Sequence, residues 1–244
     1  MKMTLEEPFR MPRRPLLSVV VPAYNEARNI ERCLARFEGQ TVPRGDFEVV
    51  VSDSSSTDET RALARKLADK VVKCKLVSAG YGRNAGVKKA RSQNLAFVDA
   101  DTLVSDTWVE GALDVLSKGV AGTGSVRTYD APNPFVDLYY RIWSFQTHAS
   151  TLVGFPLLPG FNFAVKKDAF EEAGGFFNDS RTCEDLAFSR NVKHLGPVRY
   201  SRKMRASTSC RRPVEMGLFK YWWTGVEAVF FDKVNTWENH KRDW

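Results

Sequence analysis

Four runs of buried-type residues recur through the first hundred positions: Leu16 to Val21, Phe47 to Val51, Val71 to Val77 and Asn94 to Val98. Each is short, rich in β-branched residues and bounded by turn formers, as buried strands are. Between them the spacing turns helical. Ile30, Cys33, Leu34 and Phe37 share one helical face, with Asn25 placed as N-cap. Pro43 to Asp46 reads as a turn, and Ser56 with Glu59 forms a capping-box pattern opening a helix to about Lys70. Ala79 to Gly86 reads as a glycine-bearing loop that leads into a short helix, about Arg83 to Ala90. Asp106 opens an amphipathic helix through Leu116. Strand and helix alternating in this way predict parallel strands with helices on both faces.

From about Val120 the alternation loosens. Val120 to Tyr129 and Gly160 to Val165 read as strands. Phe135 to Val153 is an aromatic amphipathic stretch, and Lys167 to Ala173 a short helix ending at Gly174-Gly175. Thr182 is placed to cap a helix from Cys183 to His194. Residues 198 to 212 are basic and irregular or strand-like, and Gly217 to Phe231 is a strongly aromatic helix. Residues 1–15 form a basic, proline-bearing tail.

A chain of 244 residues with 43% hydrophobic and 27% charged positions buries a sizeable core. Its net charge of +7 favours phosphate-bearing ligands, nucleic acid or an anionic membrane surface. The four cysteines, Cys33, Cys74, Cys183 and Cys210, form no CxxC pair, which suits a reducing compartment. His148, His194 and His240 form no ligand cluster, which argues against zinc. No signal-peptide pattern is visible, and no apolar run reaches bilayer-spanning length.

The chemistry concentrates at strand ends. Phe97-Val98-Asp99-Ala100-Asp101-Thr102 is an apolar run ending in two carboxylates spaced i, i+2. Ligands of open α/β sheets bind at the carboxyl ends of strands. Such a pair, with no cationic partner in the local sequence, suits Mg²⁺ or Mn²⁺ rather than a salt bridge, since these ions take one or two carboxylates plus substrate phosphate oxygens. An Asp-rich turn is the plainer reading. Asn25-Glu26, Asp53 and the Gly80 loop with Arg83 share that edge, outlining a nucleotide-diphosphate pocket. Gly80-Tyr81-Gly82-Arg83-Asn84-Ala85 matches the G-x-G-x-x-A dinucleotide fingerprint, but it follows the third strand. The fingerprint belongs to the first βα turn, where this chain has Pro22-Ala23-Tyr24-Asn25-Glu26.

Five ordered motifs carry a family resemblance. Val19-Val20-Val21-Pro22-Ala23-Tyr24-Asn25-Glu26, Ser52-Asp53-Ser54-Ser55-Ser56-Thr57-Asp58, Gly82-Arg83-Asn84-Ala85-Gly86, Asp99-Ala100-Asp101 and Cys183-Glu184-Asp185 resemble the family 2 glycosyltransferases of GT-A fold. Gly160 to Val165, with Phe170 and Gly174-Gly175-Phe176, is similar to that family's acceptor-side strand and turn. The resemblance covers about residues 16–212. It is to membrane-associated, cellulose-synthase-like or dolichol-phosphate-mannose-synthase-like members, although the Gln-x-x-Arg-Trp signature of processive members is absent.

The resemblance implies an α/β chain of GT-A fold: a Rossmann-like, mostly parallel sheet with helices on both faces, plus amphipathic aromatic-rich C-terminal helices. It implies a catalytic domain over 16–212, while Leu218, Phe219, Tyr221, Trp222 and Trp223 beside Lys220, Lys233 and upstream arginines suit a membrane-interface segment over 213–244. Asp53 is implied at the nucleobase, Pro22, Ala23, Tyr24 and Glu26 around the nucleoside, and Arg83 near ribose or diphosphate. Asp99 is implied at the ribose and metal, and Asp101 at the metal. Asp185, beside Glu184, is implied as general base. Many members have two adjacent aspartates where this chain has Ser52-Asp53, which leaves base recognition to one carboxylate. Acids in a first helical turn also stabilise the helix dipole, which is the plainer account of Glu184-Asp185. Arg212, in Ser209-Cys210-Arg211-Arg212, either reaches the diphosphate or belongs to a solvated basic surface.

The expected reaction is inverting, metal-dependent (Mn²⁺ or Mg²⁺) transfer from a nucleotide-sugar donor, GDP-mannose first and UDP-sugars next, to a lipid-linked or glycan acceptor. The expected setting is the cytoplasmic face of a membrane, with no nucleic-acid partner. A core helix or an oligomer interface is the plainer alternative for the aromatic segment of residues 218–237. A sugar-nucleotide pyrophosphorylase shares the acidic sheet edge, but its glycine-rich loop after the first strand is missing. A non-catalytic binding module would explain the charge and leave the ordered acids unexplained.

Overall fold

The computed structural model describes residues 14–75, 78–176 and 184–230. The tail before residue 14, Thr182, Cys183 and the segment after residue 230 lie outside the described residues. An eight-stranded sheet dominates. Its strands are β1 (Leu17–Ala23), β2 (Phe47–Asp53), β3 (Lys70–Lys73), β4 (Asn94–Phe97), β5 (Thr102–Val104), β6 (Ala121–Thr128), β7 (Phe163–Lys166) and β8 (Val198–Thr208). The helices are α1 (Ile30–Ala35), α2 (Thr60–Leu67), α3 (Ala79–Val87), α4 (Trp108–Lys118), α5 (Pro134–Leu152), α6 (Lys167–Glu172), α7 (Glu184–Val192), α8 (Arg211–Met216) and α9 (Leu218–Phe230).

The strands lie in the order β3-β2-β1-β4-β7-β6-β8-β5. The β3-β2-β1-β4 half is wholly parallel, as the strand and helix alternation requires. Beyond β4 the pairing is mixed: β4/β7, β6/β7 and β5/β8 are antiparallel and β6/β8 is parallel.

The two-residue period of the strands sorts their side chains onto two faces. Leu17, Val19, Val21, Ala96, Val98 and Ala164 enter one core with Ile30, Leu34, Trp108 and Ala112. Val20, Leu95, Phe97, Phe163 and Val165 enter the other with Val87, Phe170, Phe176 and Phe188. Both faces are covered, which is why these strands are continuous apolar runs. Helix α3 crosses close to β1 because Gly86 lacks a side chain. A Cβ there would stand 2.4 Å from Val20 Cγ1 and 2.6 Å from Ser52 Oγ.

Several local expectations are corrected. Asn25 is not a helix cap. It sits at φ 52°, and its Oδ1 accepts from Thr57 N at 2.9 Å, tying the β1 loop to the β2 loop. Short polar side chains tolerate that left-handed backbone. The capping box does not form either, because Ser56 Oγ accepts from Asn25 N instead and α2 begins at Thr60. The glycine-bearing loop is already helix, since Ser78 caps α3 by accepting from Tyr81 N. Asp106 pairs with Arg36 at 2.8 Å, and α4 starts two residues later. Strand β5 and helix α8 escaped the pattern because each is too short to show a period.

Candidate active site

Register places the strand ends. Ala23 lies opposite Asp53, and Val20 opposite Phe97. The loop Asp99 to Asp101 therefore emerges level with the ends of β1 and β2. Pro22 and Ala23 are buried, Tyr24 is half-buried and Glu26 is buried. Ser54 N donates to Ala23 O at 2.8 Å, which closes the β1 and β2 loops on each other. Asp53 is wholly buried, with Oδ2 2.6 Å from Arg61 and Oδ1 accepting from Ser56 N at 3.3 Å. Its carboxylate is thus held by α2, apart from the other acids.

Those other acids form two arginine-centred groups that feel each other's charge and make up one centre. Arg83, only 3% exposed, joins Asp99 through Nη2 at 2.7 Å and Glu184 through Nη1 at 2.6 Å. Asp101 Oδ1 accepts from Thr208 Oγ1 at 3.3 Å, and its Oδ2 lies 3.1 Å from Arg211 Nη2. The same Arg211 nitrogen pairs with Glu26. Burial and the Asp99 carboxylate push the Asp101 pKa up to about 6, with Glu26 adding to the rise and Arg211 opposing it. Like charges crowded in a poorly solvated place disfavour ionisation.

Asp185 faces this centre from the start of α7. Its Oδ2 accepts from Gly160 N at 2.8 Å, and its Oδ1 accepts from Leu186 N at 2.9 Å. The Gly160 turn is fixed from behind by Asn162, which is fully buried. The Asn162 amide accepts from Trp108 Nε1 at 2.8 Å and donates to Ser125 O at 3.0 Å. Desolvation, then the Glu184 carboxylate, raise the Asp185 pKa to about 6, while Gly160 N–H and Arg83 hold it down. A carboxylate with that pKa is ionised at neutral pH and is a stronger base than an ordinary aspartate.

The structure thus joins Asp99 and Glu184 through Arg83, joins Asp101 and Glu26 through Arg211, places Asp185 beside Glu184, and sets Asp53 aside with Arg61. Arg211 pairs with both Glu26 and Asp101 at this centre. Arg212 is exposed on the next position, near enough for its charge to lower the Asp101 pKa. Sequence reasoning passed over Arg61 and the bracing amide of Asn162. An arginine eight residues after the buried Asp53, on the helix that follows, was the only available signal for Arg61.

Among the described residues, no group of three or more His, Cys, Asp or Glu side chains could by itself hold a metal ion. The Asp99 and Asp101 pair still fits a hard divalent cation of the kind that completes its shell with phosphate oxygens and water. The expectation of a pair that makes no salt bridge is corrected: Asp99 already pairs with Arg83 at 2.7 Å and Asp101 with Arg211 at 3.1 Å, so a bound cation would share both carboxylates with arginines. A cation there would offset the excess negative charge.

A parallel half-sheet with acids at its strand ends, continued by a mixed half that carries a second acidic pair, is the GT-A arrangement. The chain belongs to glycosyl transferase family 2, whose family model matches residues 18–174. It is 27% identical over 191 residues to glycosyltransferase AglE of Haloferax volcanii, covering 75% of this chain and 62% of that protein. It is 36% identical over 141 residues to validoxylamine A glucosyltransferase of Streptomyces hygroscopicus subsp. jinggangensis, covering 54% of this chain and 33% of that one. This chain therefore spans from one third to about three fifths of the length of these curated relatives. In fold it is similar to Staphylococcus aureus TarS 1-349, with TM-score 0.66, 19% identity, and 90% of this chain and 66% of that one covered. It is likewise similar to the mannosyltransferase PcManGT from Pyrobaculum calidifontis in complex with GDP-Man and Mn²⁺. There the TM-score is 0.65 and the identity 23%, over 88% of this chain and 65% of that one.

Proposed function

We propose that this chain transfers a sugar from a nucleotide-diphosphate sugar to an acceptor hydroxyl, with inversion, using Asp185 as general base. The observation that carries the reading is the contact chain Asp99–Arg83–Glu184, which joins the donor-side carboxylates to the residue beside Asp185. The acceptor oxygen attacks the anomeric carbon as the bond from that carbon to the diphosphate oxygen breaks. Asp185 takes the acceptor proton. Asp99 and Asp101 would hold Mn²⁺ or Mg²⁺, which when bound supplies Lewis-acid stabilisation of the departing diphosphate. Pro22, Ala23, Tyr24, Glu26 and Asp53 line the nucleoside side, and Arg211 with Arg212 supplies positive charge beside the diphosphate.

GDP-mannose is the first donor in this reading, and UDP-sugars follow. The fold is shared with a chain bound to GDP-Man and with TarS bound to UDP-GlcNAc, so the donor panel spans both bases. The acceptor is a lipid-linked glycan, and the protein works against the cytoplasmic face of a membrane. Support comes from α5 and α9. Phe135, Phe145, Leu152 and Phe219 are each more than two-thirds exposed, and Trp222 and Trp223 are part-exposed beside Lys220. Apolar and indole groups next to lysine suit an anionic lipid surface. Among the described residues no helix is long and apolar enough to cross a membrane.

The test is transfer from GDP- and UDP-sugars with Mn²⁺ to a polyprenyl-linked acceptor, by the wild type and by Asp101→Asn. Turnover of one donor by the wild type, with metal-dependent nucleotide binding lost in the variant, is expected. A folded wild type that binds no nucleotide with or without metal would overturn the reading.

A further inference from the structure

We propose that Arg83 is a positioning residue that holds the base-bearing start of α7 in register with the donor-side carboxylates, rather than a ligand of the donor diphosphate. The inference rests on the transferase reading above and assigns the arginine a different task from the one its motif suggests.

The packing around the guanidinium carries the argument. Arg83 is 3% exposed, and its two terminal nitrogens hold different carboxylates. One holds Asp99, at the end of β4, and the other holds Glu184, the first residue of α7. These partners lie 16 and 101 residues away in the chain. Its remaining nitrogen, Nε, is buried without a hydrogen-bond partner among the described residues. The ring of Phe176 lies 5.3 Å from the guanidinium carbon. Gly160 presses on the guanidinium, since a Cβ at that position would stand 2.7 Å from Nη2. Gly160 is also the residue whose N–H holds Asp185 Oδ2.

An arginine that ligates a diphosphate presents its N–H fork to the ligand. This fork is buried, and each of its terminal nitrogens already gives one N–H to a carboxylate. What it does is join β4, the Gly160 turn and α7 at one point. Asp185 sits one residue beyond that point. Misplacing a reacting group by about 1 Å can cost on the order of 10²-fold in rate. Lysine keeps the charge but lacks the planar fork that reaches two partners at once.

The experiment compares Arg83→Met, Arg83→Lys and Glu184→Gln with the wild type in three measurements: Mn²⁺-dependent binding of GDP and UDP, kcat and KM for the donor, and hydrogen exchange of the backbone amides of residues 188–192. The expected result is a nucleotide Kd within about threefold of wild type, and kcat lower by roughly 10²-fold in Arg83→Met. Arg83→Lys should be intermediate. Exchange in α7 should be at least about tenfold faster in both Arg83→Met and Glu184→Gln, with β1 and β2 unchanged. The milder Glu184→Gln keeps the test open if Arg83→Met fails to fold. Nucleotide affinity falling as far as kcat/KM, with α7 exchange unchanged, would overturn the proposal and make Arg83 a donor ligand. If the wild type transfers no sugar, the transferase reading fails by itself. The exchange measurement then still decides whether Arg83 holds α7.

Discussion

Replacing Asp185 by Asn separates chemistry from folding, because two opposing terms nearly cancel. The carboxylate accepts one backbone N–H on each oxygen, from Gly160 at 2.8 Å and Leu186 at 2.9 Å. An amide has a single acceptor oxygen, so one of these bonds is lost and an N–H₂ group faces an N–H. That costs about 1–3 kcal/mol. Against it stands the raised pKa. A rise from 3.8 to about 6 means that the ionised form is disfavoured in the fold by roughly 3 kcal/mol at neutral pH, which Asn relieves. The net change is within about 2 kcal/mol, so Tm should move by only a few degrees. Loss of a general base lowers kcat by about 10²–10⁴-fold.

The signs can be checked separately. A carboxyl whose folded pKa lies above its unfolded value contributes stability that is full below about pH 4 and lost as pH rises through about 6. Asn should therefore compare better with wild type at pH 7 than at pH 4. Wild-type kcat/KM should fall about tenfold per unit as pH drops below 6, because the base is then protonated. The assay is donor turnover by nucleotide release across pH 5–8, with Tm measured on the same samples. Residual turnover in Asp185→Asn within tenfold of wild type, or a wild-type rate flat from pH 7 to 5, would refute the assignment of the base.

Other outcomes follow from single contacts. Arg61→Met leaves the fully buried Asp53 without its 2.6 Å partner, and urea unfolding should show a loss of about 3 kcal/mol; an unchanged midpoint would mean that the pair is energetically idle. Gly86→Ala drives a methyl group to 2.4 Å from Val20, and should cost about 1–3 kcal/mol and shift α3 against β1. Wild-type stability in that variant would show that the contact relaxes freely. Phe145→Ser combined with Phe219→Ser removes two rings exposed by 71% and 74%. Flotation with anionic liposomes should weaken by at least about tenfold without a fall in Tm; equal flotation would dismiss the α5 and α9 face as a lipid contact.

The parallel half of the sheet was legible because its strands are buried on both faces and so appear as unbroken apolar runs. Val19, Val50 and Phe97 announce themselves without any tertiary information. The acids at their ends were legible for a related reason, since a carboxylate directly after such a run has to face a cleft. The mixed half was harder. β5 has three residues, and β8 carries Arg199, Arg202, Lys203 and Arg205 on an exposed side, so its composition resembles a basic loop. Pairings such as Arg83 with Glu184 cross 101 residues and leave no periodic trace. The caps failed for the same reason. Asn25 and Ser56 have the right chemistry for helix starts, but each serves the other's loop.

The acidic loop has one mechanical consequence for the sheet. Phe97 ends β4 and Thr102 begins β5, yet these strands stand four places apart in the sheet. Four interstrand spacings in a flat sheet span about 19 Å. Five residue steps span about 17 Å even when fully stretched. The loop is not stretched, because Thr102 N donates to Asp99 O at 3.0 Å in a tight turn. The sheet therefore cannot lie flat but bends so that its far edge turns back toward β4, and the loop is the chord of that arc. Asp99 and Asp101 ride on this tie-rod. Any residue inserted between them would slacken the arc as well as respace the carboxylates, so the curvature of the scaffold and the spacing of its acids are a single dimension of the protein.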